Sequence, residues 1–161
     1  MKAVLLAGGR GTRLAPYTTV LPKPLMPVGD RPILDIVVRQ LRHHGFDELT
    51  FAVGHLAELL MAYFGDGSRF GVKIRYSREE APLGTAGPLS LVEGLDEPFL
   101  VMNGDILTTL DFAAMMAEHR RTGAVATVGA FHRKVRLDLG VIRFDEDRRL
   151  TSYDEKPTHD Y

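Results

Sequence analysis

Hydrophobic positions along the chain follow two rhythms. Short apolar runs closed by polar or glycine-rich stretches predict strands: Ala3–Ala7, Leu49–Val53, the alternating Val72–Tyr76, and Phe99–Asn103, which ends at Gly104-Asp105. Between them, apolar residues recur at helical spacing. Ile33, Leu34, Val37, Val38 and Leu41 form one stripe, with Asp30 as the expected cap, Pro32 in the first turn and Gly45 as the stop. His55–Phe64 predicts a second helix and a stretch near Thr85–Glu93 a third. A fourth is expected from an Asp111 cap to about Arg121. Later runs, Ala124–Phe131, Leu139–Phe144 and Leu150–Pro157, read as strands.

Strand and helix alternate, which implies an α/β protein with a mostly parallel sheet and helices on both faces. Ligands in such sheets bind beyond the carboxyl ends of strands. Three polar motifs stand at or near such ends: Gly8–Arg13, Pro82–Gly87 and Gly104-Asp105. They are expected to share one crevice.

The length of 161 residues fits one domain, residues 1–161. With 20 basic and 21 acidic residues, the net charge of -1 excludes a global basic surface for nucleic acid or membrane. Anion binding must then come from local placement of charge. The absence of cysteine rules out disulfides, thiolate metal sites and cysteine nucleophiles, and suits a cytoplasmic location. No stretch approaches the ~18 consecutive apolar residues of a membrane span. The first apolar run meets Arg10 and Arg13 too early for a signal peptide. The six histidines show no metal-ligand spacing, and the basic stretches Arg120–Gly123 and His132–Arg136 read as solvated faces.

Residues 7–24, "AGGRGTRLAPYTTVLPKP", carry the most chemistry. A dinucleotide fingerprint would need a third glycine where Leu14 stands, and prolines interrupt the helix it requires. A Walker A loop is excluded because no Gly-Lys pair occurs. What fits is a phosphate cradle. Gly8, Gly9 and Gly11 let backbone N–H groups approach an anion, and Arg13 adds a guanidinium suited to phosphate oxygens. Lys23 lies between Pro22 and Pro24, whose restricted φ aims its ammonium.

The pattern GGxGTRLxPxTxxxPKPLxPV resembles the start of the sugar-1-phosphate nucleotidyltransferases, also called nucleotide-sugar pyrophosphorylases. Glu79–Leu89 ("EEAPLGTAGPL"), Asn103–Leu107 ("NGDIL"), Leu139–Leu150 and Asp154–Pro157 ("DEKP") follow in the family's order, so the resemblance covers essentially the whole chain. It implies a Rossmann-like three-layer αβα sandwich of the nucleotide-diphospho-sugar transferase type. The implied reaction joins a sugar-1-phosphate to the α-phosphorus of a nucleoside triphosphate and releases pyrophosphate, with Mg²⁺ as cofactor. Arg13, Lys23 and Asp105 are the implied catalytic residues, Asp105 as the metal ligand. Gly8, Gly9, Gly11, Thr12 and Arg13 would wrap the nucleotide, with Glu79 on the base edge and Gly84 and Thr85 beside it. Gly140, Glu155 and Lys156 would bind the sugar phosphate.

"PLGTAGPL" with Glu79 looks most like mannose-1-phosphate guanylyltransferases. Glucose-1-phosphate thymidylyl- and uridylyltransferases share nearly every other motif, and transfer to phosphocholine fits the Glu155-Lys156 pair less well. A non-catalytic nucleotide-binding subunit is the reading from a different class. Family members usually continue with strands and helices that supply a second metal-binding Asp and close the sugar site. A chain ending at Tyr161 is therefore expected to be naturally short or part of a longer protein. An incomplete sheet would expose an edge or apolar patch that favours homo-oligomers.

Overall fold

The computed structural model describes residues 1–79, 81 and 83–160. The elements, in chain order, are β1 (Lys2–Leu6), β2 (Pro27–Val28), β3 (Arg31–Pro32), α1 (Ile33–His43), β4 (Glu48–Val53), α2 (Ala57–Phe64), β5 (Lys73–Arg78), β6 (Leu100–Asn103), α3 (Phe112–Thr122), β7 (Lys134–Arg136), β8 (Val141–Phe144), β9 (Leu150–Asp154) and β10 (Thr158–Asp160). They fall into two compact units, Met1–Thr127 and Val128–Tyr161.

The first unit is built on a four-stranded sheet in the order β5-β4-β1-β6 with every pairing parallel. Parallel neighbours need long crossovers, and α1 and α2 supply the first two. The pleat decides what is buried. Ala3, Leu5 and Ala7, in register with Leu49, Phe51 and Val53, join one cluster with Leu34, Val37, Val38 and Leu41 of α1 and Ala57, Leu60 and Phe64 of α2. Phe112 and Met116 of α3 complete it. Phe51 meets Phe64 and Tyr76 edge-on, with ring centroids 5.2 and 5.7 Å apart. Fully burying side chains of this size contributes about 1.5–3 kcal/mol each. On the opposite face Val4 and Ala52 are buried too, whereas Lys2, Glu48, Thr50, Lys73 and Arg75 are polar, and Lys2 Nζ donates to the Gly94 carbonyl at 2.8 Å.

One carboxylate enters this core. Asp35 is buried on α1 and accepts from Arg39 Nε at 2.6 Å and from the Tyr63 hydroxyl at 3.0 Å. Burial, with Asp35 as its partner, pushes the Tyr63 phenol above its ordinary pKa.

Three sequence expectations need correction. Asp30 does not cap α1. It sits in the turn between β2 and β3, where Gly29 takes φ +64°, and Pro32 occupies the cap position without a side-chain bond. The helix expected near Thr85–Glu93 is only a 3₁₀ segment, Gly87–Leu91: Gly87 lowers helix propensity and the backbone is extended again at Val92, too short a run to sustain an α-helix. Pro82, in the same motif, lies outside the described residues. Residues 124–131 form no strand, and Val125, Val128 and Phe131 are exposed. This apolar run finds no partner among the described strands. By contrast, Asp111 caps α3 as expected, accepting from the Ala114 N–H at 2.9 Å.

The second unit holds two antiparallel pairs, β7 with β10 and β8 with β9. A turn over Asp145–Arg149 closes the latter, with the Asp145 carboxylate accepting from the Arg149 N–H at 2.8 Å.

Candidate active site

The sheet order places four strand ends side by side. Backbone bonds run on past the strands: Ala7 N–H to Ala52 O at 2.8 Å, His55 N–H to Gly8 O at 3.4 Å, Glu79 N–H to Val53 O at 3.1 Å and Gly104 N–H to Leu6 O at 2.9 Å. Glu79, Gly54 with His55, Gly8 and Gly104-Asp105 therefore follow neighbouring strands. Beyond them lies a cavity of about 1130 Å³. Gly8, Gly9, Gly11, Thr12, Arg13, Lys23, Glu79, Gly84, Thr85 and Asp105 all line it.

The cradle is held by its own loop. Gly11 takes φ +62°, and a Cβ there would stand 2.8 Å from Thr18 Cγ2 and 3.4 Å from Lys23 Cβ. Only glycine fits that backbone and that gap. The Thr18 side chain is buried and donates to the Gly11 carbonyl at 2.9 Å. Thr12–Leu14 then form a 3₁₀ turn that carries Arg13. Arg10 and Arg13 make no ion pair among the described residues, so two guanidinium groups border the cavity uncommitted.

Lys23 opens a second short turn, Lys23–Leu25, in which Pro24 and Leu25 are buried. The two buried neighbours and the extended Pro22 (φ -65°, ψ 143°) anchor the backbone from both sides. The Lys23 ammonium pairs with the Asp105 carboxylate. Among the described residues lining the cavity, Glu79 and Asp105 are the carboxylates, and Arg10, Arg13, Lys23 and Arg78 the fixed cations. The lining is cationic near Gly9–Arg13 and Lys23, as an oligophosphate requires.

At the other end, Glu79 Oε2 accepts from the Leu83 N–H at 3.3 Å. Glu79 Oε1 fills the space that glycines leave. A Cβ on Gly8 would stand 2.5 Å from it, and one on Gly54 3.0 Å. Arg78, beside Glu79, pairs with Glu58 at 2.9 Å.

Arg10, Gly54, His55 and Arg78 were not among the residues singled out from sequence. A signal for Gly54 existed: it directly follows an apolar strand, as Gly8 nearly does after β1 and Gly104 does after β6. Arg10 lies within the cradle sequence, His55 follows Gly54 and Arg78 precedes Glu79, so each adjoins another residue of the site along the chain.

Gly140, Glu155 and Lys156 belong to the second unit. The Tyr153 ring packs where a Gly140 side chain would be, with its hydroxyl 2.7 Å from the Cβ position. That hydroxyl donates to the Glu155 carboxylate, which raises the Tyr153 pKa. Lys156 is exposed, with φ +47°.

Among the described residues, no group of three or more His, Cys, Asp or Glu side chains could hold a metal ion. Asp105 alone is compatible with a hard cation that takes most of its ligands from substrate phosphates and water. No helix among the described residues is long and apolar enough to cross a membrane.

Residues 2–161 match a family described as nucleotidyl transferase. A UTP–glucose-1-phosphate uridylyltransferase of Synechocystis is 37% identical over 98% of this chain and 44% of its own length. A mannose-1-phosphate guanyltransferase of Candida albicans is 37% identical over 98% of this chain and 45% of its own. The chain thus spans less than half the length of these curated relatives. A UDP-glucose pyrophosphorylase solved with UDP-glucose superposes with a TM-score of 0.67 at 22% identity, covering 97% of this chain and 69% of that one. At that identity the likeness is one of fold.

Proposed function

The chain belongs to the nucleotidyl transferase family, and on that premise we propose that it transfers a nucleoside monophosphate from a nucleoside triphosphate to a sugar-1-phosphate. A sugar-phosphate oxygen attacks the α-phosphorus, the bond to the β-phosphate oxygen breaks, and pyrophosphate leaves. The observation that carries this is the convergence of the glycine cradle, Arg13, Lys23, Asp105 and Glu79 on one cavity at the carboxyl edge of the sheet.

The reaction brings two anions together, so positioning and electrostatic stabilisation dominate. A phosphate oxygen with a second pKa of about 6 is already ionised at neutral pH and needs no general base. This accounts for a cavity furnished with cations and backbone donors. Gly8, Gly9, Gly11 and Thr12 wrap the triphosphate. Arg13 braces it and neutralises the departing pyrophosphate, and Lys23 counters charge at the reacting phosphates. Asp105 would hold Mg²⁺, which when bound lowers the charge repulsion between the phosphates. Gly140, Glu155 and Lys156 are assigned to the sugar phosphate by the family motif.

GTP with mannose-1-phosphate is our reading of the substrate pair. A carboxylate only accepts hydrogen bonds. Guanine offers N1–H and N2–H₂ as adjacent donors, whereas uracil and thymine place a single N3–H between two carbonyl oxygens that a carboxylate repels. Glu79 therefore complements guanine. Gly84 and Thr85 supply further contacts near the base. Pyrophosphate release from a panel of triphosphates and sugar-1-phosphates tests this. Fastest release from GTP with mannose-1-phosphate is expected. Release that is faster with UTP or dTTP and glucose-1-phosphate overturns the substrate choice, and no release with any pair counts against transfer by this chain.

A further inference from the structure

We propose that Gly54, together with Gly8, forms a slot that seats the Glu79 carboxylate and thereby sets the choice of base. The inference rests on the reading of the cavity as a nucleotide site. Gly8 follows β1 and Gly54 follows β4, and the two strands are hydrogen-bonded neighbours. A Cβ on Gly54 would stand 3.0 Å from Glu79 Oε1, 3.1 Å from the Gly8 carbonyl and 3.3 Å from Glu79 Cγ. A Cβ on Gly8 would stand 2.5 Å from the same Oε1 and 3.3 Å from the Gly54 nitrogen. The carboxylate thus occupies volume that exists because both residues lack side chains. The Leu83 N–H, bonded to Oε2 at 3.3 Å, holds the other oxygen.

This geometry gives the carboxylate a defined direction before any base arrives. Pre-organisation matters because a flexible Glu would lose rotamer freedom on binding and discriminate less. Gly54 touches no base in this account. It is a positioning residue acting through Glu79. Unlike Gly11, it has no positive φ that would strain a side chain. Alanine at position 54 therefore keeps its own backbone conformation, displaces the Glu79 side chain and shifts the Gly8 carbonyl by a few tenths of an ångström at most.

Calorimetric titration with GTP and UTP of the wild type, Gly54→Ala, Glu79→Ala and the double variant provides the test. The wild type is expected to prefer GTP. Gly54→Ala should cut that preference by about tenfold, the worth of one hydrogen bond to a charged group. The double variant should discriminate no worse than Glu79→Ala alone, since Gly54 has nothing left to position. Additive losses, or an unchanged preference in Gly54→Ala, overturn the slot while leaving the nucleotide site standing. Equal binding of GTP and UTP by the wild type also overturns it. Absence of any nucleotide binding overturns the cavity assignment and the slot with it. If Gly54→Ala does not fold, recovery of folding by adding Glu79→Ala supports the slot, and failure to recover overturns it.

Discussion

The Lys23 ammonium and the Asp105 carboxylate are paired within the cavity although they come from different parts of the first unit, a Pro-flanked turn and the end of β6. Each is also assigned to the reacting phosphates. With no substrate bound, each group neutralises the other, so neither stands as an isolated charge in a partly desolvated cleft. Arrival of an anionic phosphate and its counter-cation gives both groups stronger partners.

Removing one member of the pair separates its roles. Lys23→Ala should fold normally, because the pair is only half-buried and the buried Pro24 and Leu25 that anchor the turn are untouched. Turnover should fall by about 10²–10³, the range seen when one preorganised charge donor is lost. At the same time the freed Asp105 should take up Mn²⁺ alone more tightly than in the wild type. Steady-state rates and metal titration of the two proteins check this. Wild-type turnover in the variant would remove Lys23 from the mechanism.

Asp105→Asn should raise the Mg²⁺ concentration needed for half-maximal activity by at least about tenfold, since a neutral amide is a much poorer ligand for a hard cation. The measurement is rate against Mg²⁺ concentration. An unchanged curve would assign metal binding elsewhere.

The cradle makes a separate prediction through Thr18. Thr18→Val keeps the branched shape but leaves the Gly11 carbonyl without the donor now 2.9 Å away. A lost buried hydrogen bond of this kind costs about 1–3 kcal/mol. Because Gly11 carries the turn that presents Arg13, the KM for the triphosphate should rise more than kcat falls. Thr18→Ser keeps the hydroxyl and should restore most of the affinity. Equal damage by valine and serine would show that packing, not the hydrogen bond, is what matters.

How much of this was visible beforehand follows from where each interaction lies along the chain. The four strands of the sheet were legible because three are short apolar runs and the fourth, β5, alternates, each followed by a glycine or polar motif. The cradle and the Pro-Lys-Pro turn were legible because all their parts lie within residues 8–24. Gly54 shows in the sequence only as a glycine closing an apolar strand, and it is the order β5-β4-β1-β6 that brings it beside Gly8 and Glu79. Asp30 misled for a related reason. Its cap-like position is used by a tight turn at Gly29, and α1 starts from Pro32 instead. Residues 124–131 are apolar enough to suggest a strand, but an apolar run alone does not make one without a neighbour to pair with.

A pH effect on stability follows from Asp111. Its bond from the Ala114 N–H holds the carboxyl below the ordinary carboxylate range, with His44 Nδ1 3.2 Å away assisting. A folded pKa below the unfolded one gives stability that is present above the ordinary carboxylate pKa and lost as pH falls through the lowered value. Asp111→Ala should therefore lower the melting temperature by a few degrees at neutral pH, with the gap to wild type closing in acid. Melting curves across pH check it, and a gap that stays constant into acid would contradict the assignment.

Transfer at the α-phosphorus can be followed at that atom by phosphorus NMR of GTP incubated with mannose-1-phosphate, Mg²⁺ and the protein. The triphosphate signals should give way to free pyrophosphate and the paired diphosphate signals of a nucleotide sugar, in equal amounts. Appearance of GMP with pyrophosphate, or of GDP with inorganic phosphate, and no nucleotide sugar would show hydrolysis in place of transfer.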